Sequence, residues 1–497
     1  MTYLDLRSFL DDLEPDLLHV RQPVSAHLES TTLAQHALKQ QGPALILHQV
    51  DSSTHPCLLN LFGHQRRLQR AMRHKAFHSF RDLGSMLAKL KEPQMPKSLG
   101  GLLKSWPEYG QLLHARPKIL GDYLHPMQHI TGEDIDLSCL PIQHCWPEDA
   151  GRLITLGMVV TRGCEQEREN VAIYRQQVLG PRRVIMRWLS HRGGAQDYRS
   201  WLNHYPDRPF PVMVVIGADP CTLIAAVTPI PDTLSEYSFA GLLRGHPTQL
   251  VQSSLTGLHA PAGAEIVLEG FIHPNDTALE GPFGDHTGYY NSQEHFPVVT
   301  FERMSLRRSA IYHASYMGRS PWDEPSVMAH ALNDVFVPIM QKVFPEVVDF
   351  YLPPEACSYR IAVVSIQKQY PGHARRIMMG VWSWLRQFTY TKWVIVVDDD
   401  INARDWNEVI WAISTRMDPV RDTLLIDRSP IDYLDFSSPE SGWGGKIGFD
   451  ATNKWSGEVH RTWGRPIQAD AETQKRMEAL WASLGKTQSS SQHPELK

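Results

Sequence analysis

The feature that most restricts the fold is a change of hydrophobic period midway along the chain. From about Gly151 onward, short β-branched or aromatic runs follow one another: LITLGMVVTRG, ENVAIYRQQVLG, RRVIMRWLS, PVMVVIGADP, AEIVLEGFI, HFPVVTFERM and SAIYHASYMG, separated by Gly, Pro, Asn and Asp. Closely spaced strands with only short helical pieces between them predict a mixed or antiparallel β domain, a barrel being one such form, in preference to a doubly wound sheet. After SPWDEP at 320–325 the helical period returns. SVMAHALNDVFVPIMQKVF, GHARRIMMGVWSWLRQF and ARDWNEVIWAISTRM alternate with the strands YRIAVVSIQ, KWVIVVDDD and DTLLID, which predicts a three-layer α/β domain. Ahead of the β region, LDLRSFLDDLE, RRLQRAMRH and FRDLGSMLAKL read as amphipathic helices around the strand QGPALILHQV, and KEPQMPKSLG is a Pro/Gly break. The 497 residues thus divide into an N-terminal α/β portion at 1–115, a β domain at 116–325, a C-terminal α/β domain at 326–475 and a polar, aperiodic, flexible tail at 476–497.

Charge and cysteine usage bound the function. Lys plus Arg number 49 against 54 Asp plus Glu, a net charge of −5 that argues against a nucleic-acid partner. No apolar run reaches the length of a membrane span, and MTYLDLRSFLDDLE does not read as a secretory signal. Six cysteines without a CxxC suit a reducing compartment. A soluble cytoplasmic enzyme is expected, with peripheral contact at the inner face of the cell membrane left open.

Two stretches carry candidate chemistry. In the first, a strand from Asn170 is followed by Arg187, Arg192, Gly193 and Gly194. These residues read equally as an anion cradle of backbone N–H groups and guanidinium ions or as a hairpin turn bracketed by arginines. His191 is a ligand candidate, though one of 24 histidines, and Asn170 and Glu236 could add oxygen ligands. For Glu236 the leading reading is stabilisation of a helix started by Thr233 or Ser235. Asp398, Asp399 and Asp400 alternate faces on a strand, so a capped loop, with Asn402 as the cap, outweighs a metal cluster. In the second stretch, LEGPFGDHTGYY at 279–290, two glycines and a proline can bend Glu280 and Asp285 into one cavity. Mutual repulsion would then keep one of them protonated as a general acid, with Arg175 binding a substrate carboxylate or tuning the pair. The alternative is an ordinary surface loop in which Asp285 and His286 make a turn. Asn170 and Arg175 lie an odd number of positions apart, so a regular strand cannot face both to one site; it must bulge, end or run along the ligand.

ENVAIYRQQ, MRWLSHRGGA, DTLSEYSFAGLLRG and LEGPFGDHTGYY, in this order, closely resemble the UbiD family of prenylated-flavin-dependent decarboxylases. The resemblance continues through FPEVVDFYLPPE, GHARRIMMGVWS, TKWVIVVDDDINARDWNEVIWA and IDYLDFSSP, and it is greatest to the bacterial branch that decarboxylates 3-polyprenyl-4-hydroxybenzoate in ubiquinone biosynthesis. It implies a central split β-barrel of flavin-reductase type between an N-terminal α/β portion and a C-terminal α/β domain used in oligomer contacts. It further implies that Asn170, His191 and Glu236 coordinate manganese, with potassium as a further ion. Ile173, Tyr174, Arg175, Arg187, Trp188, Leu189, Arg192 and Gly193 would line prenylated FMN, with Lys392 approaching it. Arg175, Glu280 and Asp285 would form the acid–base group, Asp285 giving the proton. The cinnamate-type branch usually carries Glu at the Asp285 position, so Asp leans toward hydroxybenzoates.

The resemblance implies as partners a polyprenylated aromatic acid, a flavin prenyltransferase that supplies the cofactor, and further copies of the chain in a homo-oligomer, a hexamer among the possibilities. The alternatives are decarboxylation or reversible carboxylation of a smaller aromatic acid and, in another class, an FMN oxidoreductase. The helix with Met378, Met379, Val381, Trp382, Trp384 and Leu385 offers bulk for a polyprenyl tail, but core or subunit packing is the leading reading of such spacing.

Overall fold

A computed structural model describes residues 2–72, 79–91, 112–190, 192–228, 230, 234–467 and 469–488. The break KEPQMPKSLG lies, beyond its first residue, outside them. Near the N-terminus, Asp5 caps the helix Leu6–Leu13 by accepting a hydrogen bond from Ser8 N at 2.9 Å. The helix buries Leu6, Phe9, Leu10 and Leu13, the one-face spacing its sequence predicts. It packs with strands β1 (Leu17–Val20), β2 (Ala44–Leu47) and β3 (Cys57–Leu59) and the helices Gln65–Ala71 and Phe80–Lys91.

The middle of the chain contributes β4 (Lys118–Leu120), β5 (Met127–Thr131), β6 (Leu153–Ile154), β7 (Met158–Thr161), β8 (Asn170–Ile173), β9 (Gln176–Val178), β10 (Arg183–Met186), β11 (Phe210–Ile216), β12 (Gln249–Gln252), β13 (His259–Pro261), β14 (Ile266–Glu280), β15 (Glu294–Arg307) and β16 (Tyr312–His313). Nine of these strands form one antiparallel sheet in the order β6-β9-β10-β15-β14-β11-β7-β8, with β5 on the free stretch of β15. The sheet is curled and partly open, a half-barrel, as the split-barrel expectation requires. Register shifts between β14 and β15 at Glu269/Gly270 and Ile272/Thr277 supply bulges that bend the two longest strands. The chain then returns through β16 to complete the first sheet, in the order β1-β2-β3-β16.

The facing problem of Asn170 and Arg175 is solved by termination. β8 stops at Ile173, and Tyr174 and Arg175 occupy the break before β9.

Beyond the helix Glu324–Val343, the strands β17 (Val347–Tyr351), β18 (Ile361–Ile366), β19 (Trp393–Asp398), β20 (Thr423–Pro430) and β21 (Trp443–Ala451) form a mixed sheet in the order β17-β18-β19-β21-β20. β18, β19 and β21 run parallel, and apolar clusters lie on both sheet faces with the helices Glu324–Val343, His373–Trp384 and Trp406–Arg416. Met378, Val381 and Trp382 are core residues, so packing wins over a tail-binding role for that helix. The acidic run is ion-paired: Arg416 reaches Asp398 at 3.0 Å and Asp400 at 2.7 Å. The following helix is capped by Asp405 and not by Asn402, whose side chain accepts from Arg404 N instead.

Residues 369–373 and 453–497 form a second compact unit. In it, Gly372 N donates to Glu458 and Trp463 Nε1 to Asn453. A helix spans Ala471–Gln488, running into the tail expected from 476, with Met477, Leu480, Trp481 and Leu484 at helical spacing inside the polar sequence. Among the described residues, no helix is long and apolar enough to cross a membrane.

Candidate active site

The sheet order brings together residues far apart in sequence. β9 and β10 are antiparallel neighbours, so Arg175, just before β9, lies opposite Arg187, just after β10, and Arg187 N donates to Arg175 O at 3.2 Å. Glu280 is the last residue of β14 and has no exposed surface. Arg175 grips it through Nε–Oε1 at 2.7 Å and Nη2–Oε2 at 3.1 Å, and Arg187 Nη1 meets Oε2 at 2.7 Å. One carboxylate thus lies between two buried guanidinium ions, with bidentate geometry on one side.

Gly281 follows with φ of 87°, a conformation that favours glycine, and turns the chain out of the strand. Its N–H donates to Gln177 Oε1 at 2.9 Å. The loop is then tied at several points. Asn291 Oδ1 accepts from Phe283 N and from Arg175 Nη2, each at 2.9 Å, while the Phe283 ring lies under the Arg175 guanidinium at 5.1 Å. Asp149 accepts from Gly284 N at 2.8 Å and Trp146 N at 2.9 Å. So held, the loop places Asp285 Oδ2 3.5 Å from Arg175 Nη1.

Arg175, Glu280 and Asp285, singled out in the sequence, therefore converge, but their electrostatics differ from the expectation. Burial alone would raise the Asp285 pKa. The hydrogen bond and charge of His286, with Arg175 and Arg187 nearby, outweigh it and hold the carboxyl down at about 2. The two carboxylates do not face each other bare; cations separate and neutralise them, so repulsion does not keep a proton on Asp285. His286 Nδ1 contacts Asp285 Oδ1, and His286 N donates to the same oxygen at 2.6 Å. Burial disfavours the imidazolium, but Asp285 and the more distant Asp432 raise its pKa above the ordinary value.

The C-terminal α/β region closes one side of this group. Tyr433 Oη accepts from Arg187 Nη2 at 3.0 Å, and the Phe296 ring lies 5.4 Å from the same guanidinium. Tyr289 of the catalytic-candidate loop meets Phe436 edge-on at 5.9 Å. Lys392 pairs with Asp435 at 2.8 Å and Ser437 Oγ at 2.5 Å, on the same loop as Tyr433.

The remaining candidates gather where β8 meets the helix Gly193–His204. Tyr174 Oη accepts from Gly194 N at 3.0 Å, and its ring meets Trp188 edge-on at 6.2 Å. The Trp188 indole nitrogen is buried without a hydrogen-bond partner among the described residues. Arg192 precedes the first helical turn, and a Cβ on Gly193 would fall 2.1 Å from Asn170 Oδ1, so glycine permits the close approach. Ile173 ends β8, and Leu189 is half-buried against the small cluster of Ile185, Phe296 and Val298. Glu236 opens a helix capped by Ser235, as foreseen, and its Oε2 also accepts from Val171 N at 3.2 Å, beside Asn170. Burial pushes the Glu236 pKa up to about 7. His191 lies outside the described residues, and among those described no group of three or more His, Cys, Asp or Glu is placed to hold a metal ion.

Sequence reasoning missed His286 as a partner of Asp285, and it missed Asn291, Asp149 and Tyr433. The Asp-His dipeptide was the available signal for the first. The others depend on chain crossings that spacing does not show.

Three family models match: the 3-octaprenyl-4-hydroxybenzoate carboxy-lyase N-terminal domain over residues 12–87, its Rift-related domain over 122–320 and its C-terminal domain over 326–451. Among solved structures, the vanillic acid decarboxylase of Sedimentibacter hydroxybenzoicus in its closed form is 26% identical, with a TM-score of 0.83 over 97% of this chain and 99% of its own. The UbiD-class enzyme HmfF from Pelotomaculum thermopropionicum, in complex with FMN, is 26% identical, with a TM-score of 0.75 over 95% of this chain and 99% of its own. The apo 3,4-dihydroxybenzoic acid decarboxylase of Klebsiella pneumoniae shares the fold at 21% identity, with a TM-score of 0.75 over 96% and 99% of the two chains.

Proposed function

Because the chain belongs to the UbiD family of carboxy-lyases, we propose that it decarboxylates a small hydroxy-substituted aromatic acid without net oxidation, using prenylated FMN. The observation that carries the reading is the buried group in which Arg175 and Arg187 clamp Glu280 while Arg175 also faces Asp285.

The residues present fit the cofactor. The unpartnered indole nitrogen of Trp188, the first turn of Gly193–His204 with Arg192 before it, and the break at Tyr174 together offer donors and positive charge to an anionic flavin. Glu236, half-buried beside β8 with its pKa pushed up to about 7, fits a cation that would restore its anion, and Asn170 and His191 would complete a manganese set. When bound, the prenylated flavin supplies an electron sink at the carbon that loses carbon dioxide.

The chain's own residues do the rest. Glu280 fixes the guanidinium of Arg175, whose remaining edge can orient a carboxylate, and Asp285 delivers the proton that replaces carbon dioxide. The half-buried Trp146, whose indole lies against Gly284, covers the loop on one side.

The small-acid reading is supported by the similarity to a vanillic acid decarboxylase over nearly the whole of both chains. A second reading, 3-polyprenyl-4-hydroxybenzoate, is favoured by the descriptions of the matched family models. Vanillate and the polyprenyl acid are both 4-hydroxybenzoates substituted at carbon 3, so they differ at one position of the ring. Protein co-produced with a flavin prenyltransferase should carry prenylated FMN by mass spectrometry and release carbon dioxide from vanillate. Release from the polyprenyl acid alone would select the second reading. Plain FMN with NADH-dependent reduction would replace both with an oxidoreductase.

A further inference from the structure

We propose that His286 positions Asp285 and returns a proton to it after each turnover; this rests on the reading of Asp285 as proton donor. Loss of carbon dioxide from an aromatic carboxylate consumes one proton at the ring carbon. Asp285 is an anion in this geometry, pressed by Arg175 and Arg187, so a carboxyl that donates must first be supplied with a proton. Of the side chains that touch it, Arg175 cannot supply one, because guanidinium does not deprotonate in proteins. His286 can, since imidazole changes charge near neutrality. Its Nδ1 lies on Asp285 Oδ1, and its side chain keeps 17% of its surface exposed, so the ring joins the buried carboxylate to solvent.

The proton balance closes. The Asp285 O–H bond breaks and its proton bonds to the ring carbon that carbon dioxide has left. The His286 Nδ1–H bond then breaks and its proton restores the Asp285 carboxyl, and the imidazole regains one proton from water between turnovers. The charged groups facing His286 are Asp285 on its own loop, Asp432 and Arg360 from the C-terminal α/β region, and Asp323 ahead of the helix Glu324–Val343. Three acids against one base favour the imidazolium. The relay therefore works at neutral pH and fails as pH rises through the raised His286 value.

Two measurements decide it. In the cofactor-free full chain labelled with ¹⁵N-histidine, the His286 signal, assigned by difference against His286→Asn, should titrate above about 6.5 and fall when Asp285 is changed to Asn. Titration at or below that value overturns the proposal. In holoenzyme given vanillate or 3-polyprenyl-4-hydroxybenzoate, whichever the wild type turns over, His286→Asn keeps an N–H near the Nδ1 position but cannot relay a proton. Its kcat should fall roughly tenfold or more, with KM held and the alkaline limb of the pH profile gone; His286→Gln serves as the second variant if Asn prevents folding. An unchanged profile beside an inactive Asp285→Asn defeats the relay alone, whereas full turnover by Asp285→Asn defeats the donor reading.

Discussion

Two buried titratable regions of this chain are built to opposite rules. At the site, Arg175, Arg187, Glu280, Asp285 and His286 interlock, and against burial the neighbouring charges hold the Asp285 pKa down and the His286 pKa up. Around Phe62, whose ring lies 6.3 Å from His313 and whose N–H donates to Glu324, burial removes charge. Among the described residues neither ring nitrogen of His313 has a hydrogen-bond partner, and desolvation lowers its pKa to about 3. Glu324 is pushed up to about 7 by burial, although Phe62 N–H, Ser315 and Arg67 oppose the shift. Depth alone therefore does not decide ionisation; the supply of opposite charge within hydrogen-bond reach does. A region that keeps charge where water is scarce is prepared to act on a substrate, and one that sheds charge is occupied with packing.

Breaking the charged region should have the largest effect. Asp285→Asn in cofactor-loaded protein should lower kcat by about 10²–10⁴-fold, the usual worth of a positioned acid, as carbon dioxide release would record. Glu280→Gln leaves two buried guanidinium ions without their shared anion, and thermal unfolding should register a loss of about 3–5 kcal/mol together with activity. The neutral region should respond less, and with pH. The folded pKa of Glu324 is above its unfolded value, so wild-type stability is lost as pH rises from about 4.3 through 7. Glu324→Gln retains an acceptor for Phe62 N and lacks this loss; denaturant unfolding at pH 8 should show it more stable by about 1–3 kcal/mol. His313 has the reverse sign. Its folded pKa is depressed, so stability is lost as pH falls below about 6.5, and His313→Phe should gain on wild type by about 1 kcal/mol near pH 5, with activity unchanged. A large activity loss in either neutral-region variant would erase the distinction between the two regions.

Much of the architecture was legible because period and turn residues act locally. The half-barrel strands and the helix–strand alternation of the C-terminal region follow from the runs that predict them. β14 is longer than its apolar run suggests because Pro274 and Asn275, which read as a turn, sit in the irregular stretch between Ile272 and Thr277 across which the strand continues. That continuation carries Glu280 to the two arginines, and no spacing rule contains it. The ionisation of Asp285 was misread for a related reason: the Glu280–Asp285 spacing shows two acids but not the cations that cross between them. Tyr433 reaches Arg187 from 246 positions away, a pairing set only when the C-terminal α/β region folds against the half-barrel.

Glu280 pairs with Glu294 in the ladder, so the hairpin that bears Asp285, His286 and Asn291 opens and closes at adjacent points on the two longest strands. The arginines flank a different pair of strands, β9 and β10. Anchoring and chemistry are thus separable units of heredity and of engineering: the hairpin tip can be exchanged as a cassette between related chains, with its strands cut at the same rung, while the clamp that receives it stays as it is. Graft libraries confined to that tip would vary the surroundings of Asp285 and leave the strands flanked by the arginines untouched.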